Sequence, residues 1–325
     1  MTVAAATFPR LGWIGLGAMG LGMAKNLQRH LTSTGAPALI FTNRTLSRGK
    51  DLEALGAKPA NTVAEVVQSS DIVISMLSND QVLHSVTDEV LAAGDFSGKI
   101  LMDCTTVGPD TSVEIGEKVS KANGQFIAAP VFGASPVADA GKLIFTVAGP
   151  KDALAKVEPY IVGVMGRLSI PMGEDVSKSS LLKIAGNILV VGFQEIIGET
   201  QVFAEKTGLG VEVIENLIGD NFGPTLLSYS KRLTGGVYAP PRESRPGFGV
   251  DLSMKDARHA IRLGSEEGVK MPALEVALKN SERAKEYADQ DGGRPLDSSS
   301  MYGTLRRDAG LDFDTNFVKQ RDAAK

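Results

Sequence analysis

The chain has 325 residues, of which 43% are hydrophobic and 22% charged, and its formal net charge is −4. Such a chain can bury sizeable cores without disulfide or metal staples, and the slight acidity argues against nucleic acid as a main partner. One cysteine, Cys104, excludes an internal disulfide and a thiolate zinc cluster, and three histidines leave metal and Ser/His chemistry poorly stocked.

The first ten residues, MTVAAATFPR, lack an extended apolar core and do not read as a secretory signal. With a lone thiol, a reducing cytoplasm is the expected home. From Leu11 to about Pro171, short apolar runs alternate with helical patterns. LGWIGL is strand-like and leads into a helix through Leu31. ALIFT, DIVISML, KILMDC, QFIAAP and LIFTVAG follow as strands, and the segments from Thr45, Asn79 and Pro109 read as helices. Apolar strands spaced by helices predict an α/β Rossmann domain, a doubly wound and mostly parallel sheet covered on both faces.

The pattern changes near Met172. A long helix is expected over 175–207, then helices near 211–219, 224–233, 250–267 and 272–288. A loop lies at 235–249, and a last helix is possible at 299–310. Strand–helix units followed by helices alone imply two domains. Residues 1–172 are expected to bind a dinucleotide, and 173–325 to form an all-α domain entered through the long helix. Residues 181–197 are the most apolar long stretch but carry Lys183, Asn187, Gln194 and Glu195, so a buried helix is expected there and not a membrane span.

Residues 15–20 read Gly15-Leu16-Gly17-Ala18-Met19-Gly20, a G-x-G-x-x-G turn between a strand and a helix. The first glycine suits a tight turn, the second admits a pyrophosphate, and the third lets helix and strand pack closely. The next strand ends at Thr42 and continues as Asn43-Arg44-Thr45. The carboxylate that would accept from a ribose 2′-hydroxyl is absent, and Arg44 with donors Asn43 and Thr45 suits a 2′-phosphate, so NADP(H) is the expected cofactor. A solvated surface arginine would give the same letters.

Lys183 and Asn187 lie four apart, on one face of the long helix. A lysine buried beside a nicotinamide would titrate low enough for acid–base work, and Asn187 could hold substrate or orient the amine. A lysine snorkelling from a helix interface would leave the same pattern. Lys255 and His259 form a second such pair, equally readable as a solvated helix face. His30 and His84 read as structural or surface residues.

Several motifs, in order over roughly Leu11–Ala288, together resemble the β-hydroxyacid dehydrogenase family. That family contains 3-hydroxyisobutyrate dehydrogenase, tartronate semialdehyde reductase and glyoxylate/succinic semialdehyde reductases. 6-Phosphogluconate dehydrogenase and the imine reductases are more distant kin. The motifs are IGLGAMG at 14–20 with Met23-Ala24-Lys25-Asn26-Leu27, NRTLSR at 43–48, and the turn Met76-Leu77-Ser78-Asn79. DCTTVGPDTS at 103–112, APVFGASPVADAGKL at 129–143, Lys183 with Asn187, and Phe248 with Met254-Lys255-Asp256 complete the set.

The resemblance implies that Met76, Leu77, Thr106 and Lys255 lie by the cofactor. It implies that Thr106, Phe132, Gly133, Ala134, Lys183 and Asn187 meet the substrate, with Lys183 the general acid in reduction and the base in oxidation. It further implies a homodimer or larger even assembly, a site in the cleft between the domains, and hydride transfer between NADP(H) and a small aldehyde or 3-hydroxy acid. Three positions depart from the family pattern: Phe132 replaces a serine, Ala134 a glycine, and Gly186 an asparagine or histidine. An imine reductase or reductive aminase on the same scaffold, or a dinucleotide sensor without catalysis, are the alternatives. Imine reductases typically replace the lysine, which favours carbonyl chemistry here.

Overall fold

The computed structural model describes residues 8–324, so the reading of the first ten residues falls, for 1–7, outside the described residues. The described chain forms two compact units, one ending at Lys183 and the other beginning at Ile184. The division falls inside the long helix Val176–Thr207.

The first unit carries a six-stranded sheet of β1 (Leu11–Ile14), β2 (Ile40–Thr42), β3 (Lys58–Pro59), β4 (Ile72–Ser75), β5 (Ile100–Asp103) and β6 (Gln125–Ala128). Their order is β3-β2-β1-β4-β5-β6, and every pairing is parallel. This is the doubly wound order, whose chain reversal beside β1 leaves a crevice at the carboxyl ends of the strands. Strand period two sorts the apolar residues between the faces. Trp13, Ile72, Ile74, Ile100, Met102 and Ile127 enter one core with Met23, Leu27 and Leu31. Ile14, Val73, Leu101 and Phe126 enter the other with Val66, Val67 and Leu83.

The expectation that LIFTVAG extends this parallel sheet is corrected. It forms β8 (Leu143–Val147) of a separate three-stranded sheet, antiparallel to β7 (Val131–Phe132) and parallel to β9 (Gly166–Pro171). Both partners escaped the sequence reading, β7 because it has two residues and β9 because Arg167 and Ser169 dilute its apolar pattern. The helix expected from Thr45 is instead a 3-10 turn, Leu46–Gly49, followed by one α-turn, Lys50–Glu53.

The second unit is helical: the rest of Val176–Thr207, then Val211–Thr234, Val250–Glu266, Pro272–Gln290, Met301–Asp308 and Asn316–Ala323. Gly223, with φ of 82°, breaks Val211–Thr234 just before Pro224, where the sequence separated two helices. The last helix escaped notice because its composition is polar. The polar segment after Gln290 is in fact buried: Arg294, Asp297, Ser298, Ser299 and Ser300 are all inside. Asp297 accepts two hydrogen bonds of 2.7 Å from the half-buried Arg232, which compensates the cost of burying its carboxylate.

Helix Val176–Thr207 is long and apolar enough to cross a membrane by length and composition. Its buried Gln194 and Gln201 nonetheless donate to Ser298 Oγ and Ser230 Oγ of the second unit, at 3.1 and 2.7 Å.

Candidate active site

In the first unit the glycine turn follows β1 directly. Gly15 has φ of +100°, and a Cβ there would lie 2.3 Å from the Met76 carbonyl oxygen. A Cβ on Gly20 would lie 2.2 Å from the Gly15 carbonyl oxygen. That carbonyl also accepts from the buried Trp13 Nε1 at 2.8 Å, so it cannot move aside. Packing and backbone conformation therefore dictate both glycines.

Gly17 is different. Its φ and ψ of −72° and −171° suit any residue, and a Cβ there meets no protein atom within 4 Å. Nothing among the described residues requires glycine at that position. The helix Ala18–Thr34 starts next to it, with no side-chain cap and no acidic residue in its first turn. An uncapped helix start with the positive end of its dipole suits an anion, and Gly17 leaves its approach clear. The turn thus fits a dinucleotide pyrophosphate.

This account predicts opposite outcomes for two alanine variants. Gly17→Ala is expected to keep the wild-type melting temperature and weaken nucleotide binding at least about tenfold. Gly20→Ala is expected to lower the melting temperature. Thermal melts and fluorescence titration with NADPH check both; a destabilised Gly17→Ala that binds normally would contradict the assignment.

The flanking loops are braced by side chains. Asn43 Oδ1 accepts from Leu16 N–H at 2.8 Å, and its Nδ2 donates to the Thr45 carbonyl at 2.8 Å. Asn43 thus ties the glycine turn to the loop after β2. Arg44 and Thr45 are exposed there, and Arg44 makes no ion pair among the described residues. Met76 and Leu77 pack against Gly15. Leu77 N–H donates to Thr105 Oγ1 at 2.9 Å, and the Thr105 hydroxyl donates to Asp103 Oδ1 at 2.7 Å. Ser75 Oγ donates to the same Asp103 oxygen at 2.7 Å.

That buried network sets the backbone leading to Thr106, which is half-buried. Asp80 holds the far side, accepting from Gly108 N–H at 2.8 Å and Thr111 Oγ1 at 2.9 Å. Sequence reasoning missed Ser75, Asp80, Asp103 and Thr105 as bracing groups. Short polar residues at strand ends were the one available signal.

Lys183 is only 8% exposed. Its ammonium lies 4.5 Å from the centroid of the Phe132 ring, a cation–π contact worth about 2 kcal/mol when desolvated. Two serines one turn earlier fix the helix that carries it. Ser179 Oγ donates to the Thr146 carbonyl at 2.5 Å, and Ser180 Oγ shares a 2.7 Å hydrogen bond with Ser112 Oγ. The sequence reading did not single out either serine.

Gly133 is exposed, with φ of +130°, and Ala134 precedes the short helix Ser135–Asp139. Cys104 is fully buried, and burial pushes its thiol up, so it supplies no nucleophile at neutral pH. His30 packs edge-on against Tyr160, and His84 faces Glu114 at 3.4 Å.

In the second unit, Asn187 is buried and its Nδ2 donates to Asp256 Oδ2 at 2.6 Å. Lys255 Nζ lies 3.0 Å from the other oxygen of Asp256. Asp256 is buried as well, so it fixes the asparagine amide and draws Asn187 and Lys255 to one point. Asp256 appeared in the sequence only as a letter of a motif, and its anchoring role needed the fold.

Residues 10–173 match the NAD binding domain of 6-phosphogluconate dehydrogenase. Residues 178–305 match the NAD-binding domain of NADP-dependent 3-hydroxyisobutyrate dehydrogenase. The chain is similar to the NADH-dependent oxidoreductase ucdB of Aspergillus ustus, 28% identical over 91% of this chain and 99% of that protein. It is likewise 28% identical to glyoxylate/succinic semialdehyde reductase 1 of Arabidopsis thaliana, over 85% of this chain and 92% of that one. Among solved structures, Mycobacterium tuberculosis 3-hydroxyisobutyrate dehydrogenase with L-serine superposes with a TM-score of 0.74 at 24% identity, covering 92% of this chain and 99% of that chain. The chain belongs to the β-hydroxyacid dehydrogenase family, NAD(P)-binding oxidoreductases that act on CH–OH groups.

Proposed function

We propose that this protein reversibly reduces a small aldehyde to its alcohol, or oxidises a 3-hydroxy acid, using NADP(H), with Lys183 as the acid–base group. The observation that carries this reading is the buried Lys183 ammonium, set one helical turn after the Ser179 and Ser180 anchors. Residues 1–172 form the cofactor domain in this reading, and 173–325 the substrate and dimerisation domain.

The nicotinamide, when bound, supplies or accepts the hydride. The chain's own residues bind, orient and move the proton. Gly15, Gly17 and Gly20, with Leu16, Ala18 and Met19 between them, receive the pyrophosphate on open N–H groups. Met76, Leu77 and Thr106 border the cofactor on the braced loops after β4 and β5, and Lys255 lies beside it. Thr106, Phe132, Gly133, Ala134 and Asn187 meet the substrate. In reduction, Lys183 Nζ gives a proton to the carbonyl oxygen. In oxidation, the neutral amine takes the hydroxyl proton. Asn187, its amide fixed by Asp256, orients the reacting oxygen.

The preference for NADP(H) rests on Arg44, exposed on the loop after β2, where no carboxylate stands to repel a 2′-phosphate. The NADH use named for the Aspergillus relative makes this the sharpest point to test. Arg44→Glu is expected to weaken NADPH binding about ten- to a hundredfold, the worth of one charge-assisted contact, with NADH little changed. Parallel titrations decide it, and an equal loss for both nucleotides would remove Arg44 from this role.

The helix Val176–Thr207 also leaves an apolar stripe outside. Leu189, Ile196 and Phe203 recur every seven residues and are 58%, 54% and 61% exposed. Ala185 and Gly192 fill the alternate positions of the same heptad pattern, which lets another helix approach closely. We assign the cover of this stripe to a second copy of the chain, hence a homodimer. The lone buried thiol supports a reducing, cytoplasmic location.

Turnover of glyoxylate, succinic semialdehyde, 3-hydroxyisobutyrate and a cyclic imine with each nucleotide tests the reaction class. Carbonyl or alcohol turnover is expected. Activity confined to the imine would mark an imine reductase, and binding without turnover a sensor.

A further inference from the structure

Phe132 ends β7, where its backbone pairs with Ile144 of β8. The turn after it is closely packed: Gly133 holds φ of +130°, and a Cβ there would lie 2.7 Å from Leu143 Cδ2. The buried Lys183 ammonium rests 4.5 Å from the centroid of the Phe132 ring. Val131, Phe132, Gly133 and Ala134 offer no side-chain hydrogen-bond donor.

A carboxylate seated against the Phe132 ring would shed water and gain no donor from the side chains of Val131–Ala134 in exchange. An alkyl or aryl group at the same place would gain apolar contact and leave the ammonium where it is.

We propose that Phe132 is a specificity-determining residue that selects carbonyl substrates presenting an apolar group, not a carboxylate, to the Val131–Ala134 loop. The inference rests on Lys183 being the acid–base group, because that assignment puts the reacting carbon beside the ring. It narrows the substrate class to neutral aldehydes with an alkyl or aryl flank, and to their alcohols in the reverse direction.

The test compares kcat/KM for pentanal and for succinic semialdehyde, similar in length but ending in methyl or carboxylate. Wild type, Phe132→Ser and Phe132→Leu are measured with NADPH and with NADH. Wild type is expected to favour pentanal by about tenfold or more, the scale on which pockets discriminate such groups. Phe132→Ser adds a small donor in place of the ring. It is expected to move the ratio toward succinic semialdehyde by about a hundredfold, with NADPH binding unchanged. Phe132→Leu keeps an apolar seat and is expected to keep the preference for pentanal.

A wild-type preference for succinic semialdehyde, or a ratio that Phe132→Ser moves less than about threefold, overturns the inference while leaving the reaction class standing. Should Phe132→Ser not fold, the wild-type ratio and Phe132→Leu still decide. Absence of turnover on both aldehydes overturns this inference, and absence on glyoxylate and 3-hydroxyisobutyrate as well overturns the reaction class with it.

Discussion

Lys183→Ala is expected to lower kcat by about two to four decades while NADPH binds with wild-type affinity. That range is what a positioned general acid contributes to proton transfer. The amine sits on the Phe132 ring, 8% exposed, on a helix pinned by Ser179 and Ser180. The glycine turn proposed to hold the phosphates follows β1 and shares no residue with that helix, so the substitution is expected to leave nucleotide binding intact. Lys183→Arg should not rescue, because a guanidinium keeps its proton throughout the working pH range and cannot act as the base for oxidation. Steady-state kinetics in both directions, with fluorescence titration of NADPH, separate the two effects. Turnover within about threefold of wild type would remove Lys183 from the proton-transfer role.

Glu195→Gln is expected to stabilise the protein by about 3 kcal/mol at pH 8 and to change little at pH 5. Glu195 is 5% exposed on the helix Val176–Thr207. One carboxyl oxygen accepts from Asn280 Nδ2 at 2.5 Å, and the other has no hydrogen-bond partner. Burial raises its pKa from 4.5 to about 7, against the lowering effect of the Asn280 hydrogen bond and with a smaller push from the Glu199 charge. The folded chain therefore keeps a proton that the unfolded chain releases near pH 4.5. Between these values the folded state binds more protons, so stability is full below about 4.5 and is lost as pH rises through about 7. That span corresponds to about 3 kcal/mol. A neutral amide of the same shape removes the loss. Calorimetric melts at pH 5 and pH 8 check it, with several degrees gained at the higher pH alone. Equal shifts at both pH values would show that Glu195 does not carry this pH dependence.

What could be read from the letters, and what could not, follows from the range of the interactions. The glycine turn was legible because its requirements are local: a positive φ at Gly15 and a close approach at Gly20 lie within six residues of each other. The two-part architecture was legible too, since apolar strand runs spaced by helices give way to helices alone near Met172. The three-stranded sheet was not, because β7 is two residues long and gains its meaning from β8, eleven residues further along.

The bracing of the site was least visible. Leu77 reaches Thr105 across 28 residues, Ser180 reaches Ser112 across 68, and Asn187 reaches Asp256 across 69. Nothing in local sequence distinguishes such serines, threonines and aspartates from surface ones. The burial of Arg294 and Ser298–Ser300 was hidden for the same reason, since a polar segment reads as a solvated tail until its partners are in place. Lys183 stood between these cases. Helical spacing with Asn187 gave it a face, and the resemblance carried by the surrounding motifs implied the role proposed for it.

A crystal structure of the protein with NADPH and an unreactive substrate analogue would probe most directly how the parts act together. The pyrophosphate should lie over Gly17 at the start of Ala18–Thr34, with Lys183 Nζ within about 3.2 Å of the oxygen that gains or loses the proton. A nucleotide bound away from Gly17, or a lysine amine out of reach of that oxygen in the closed complex, would contradict the account.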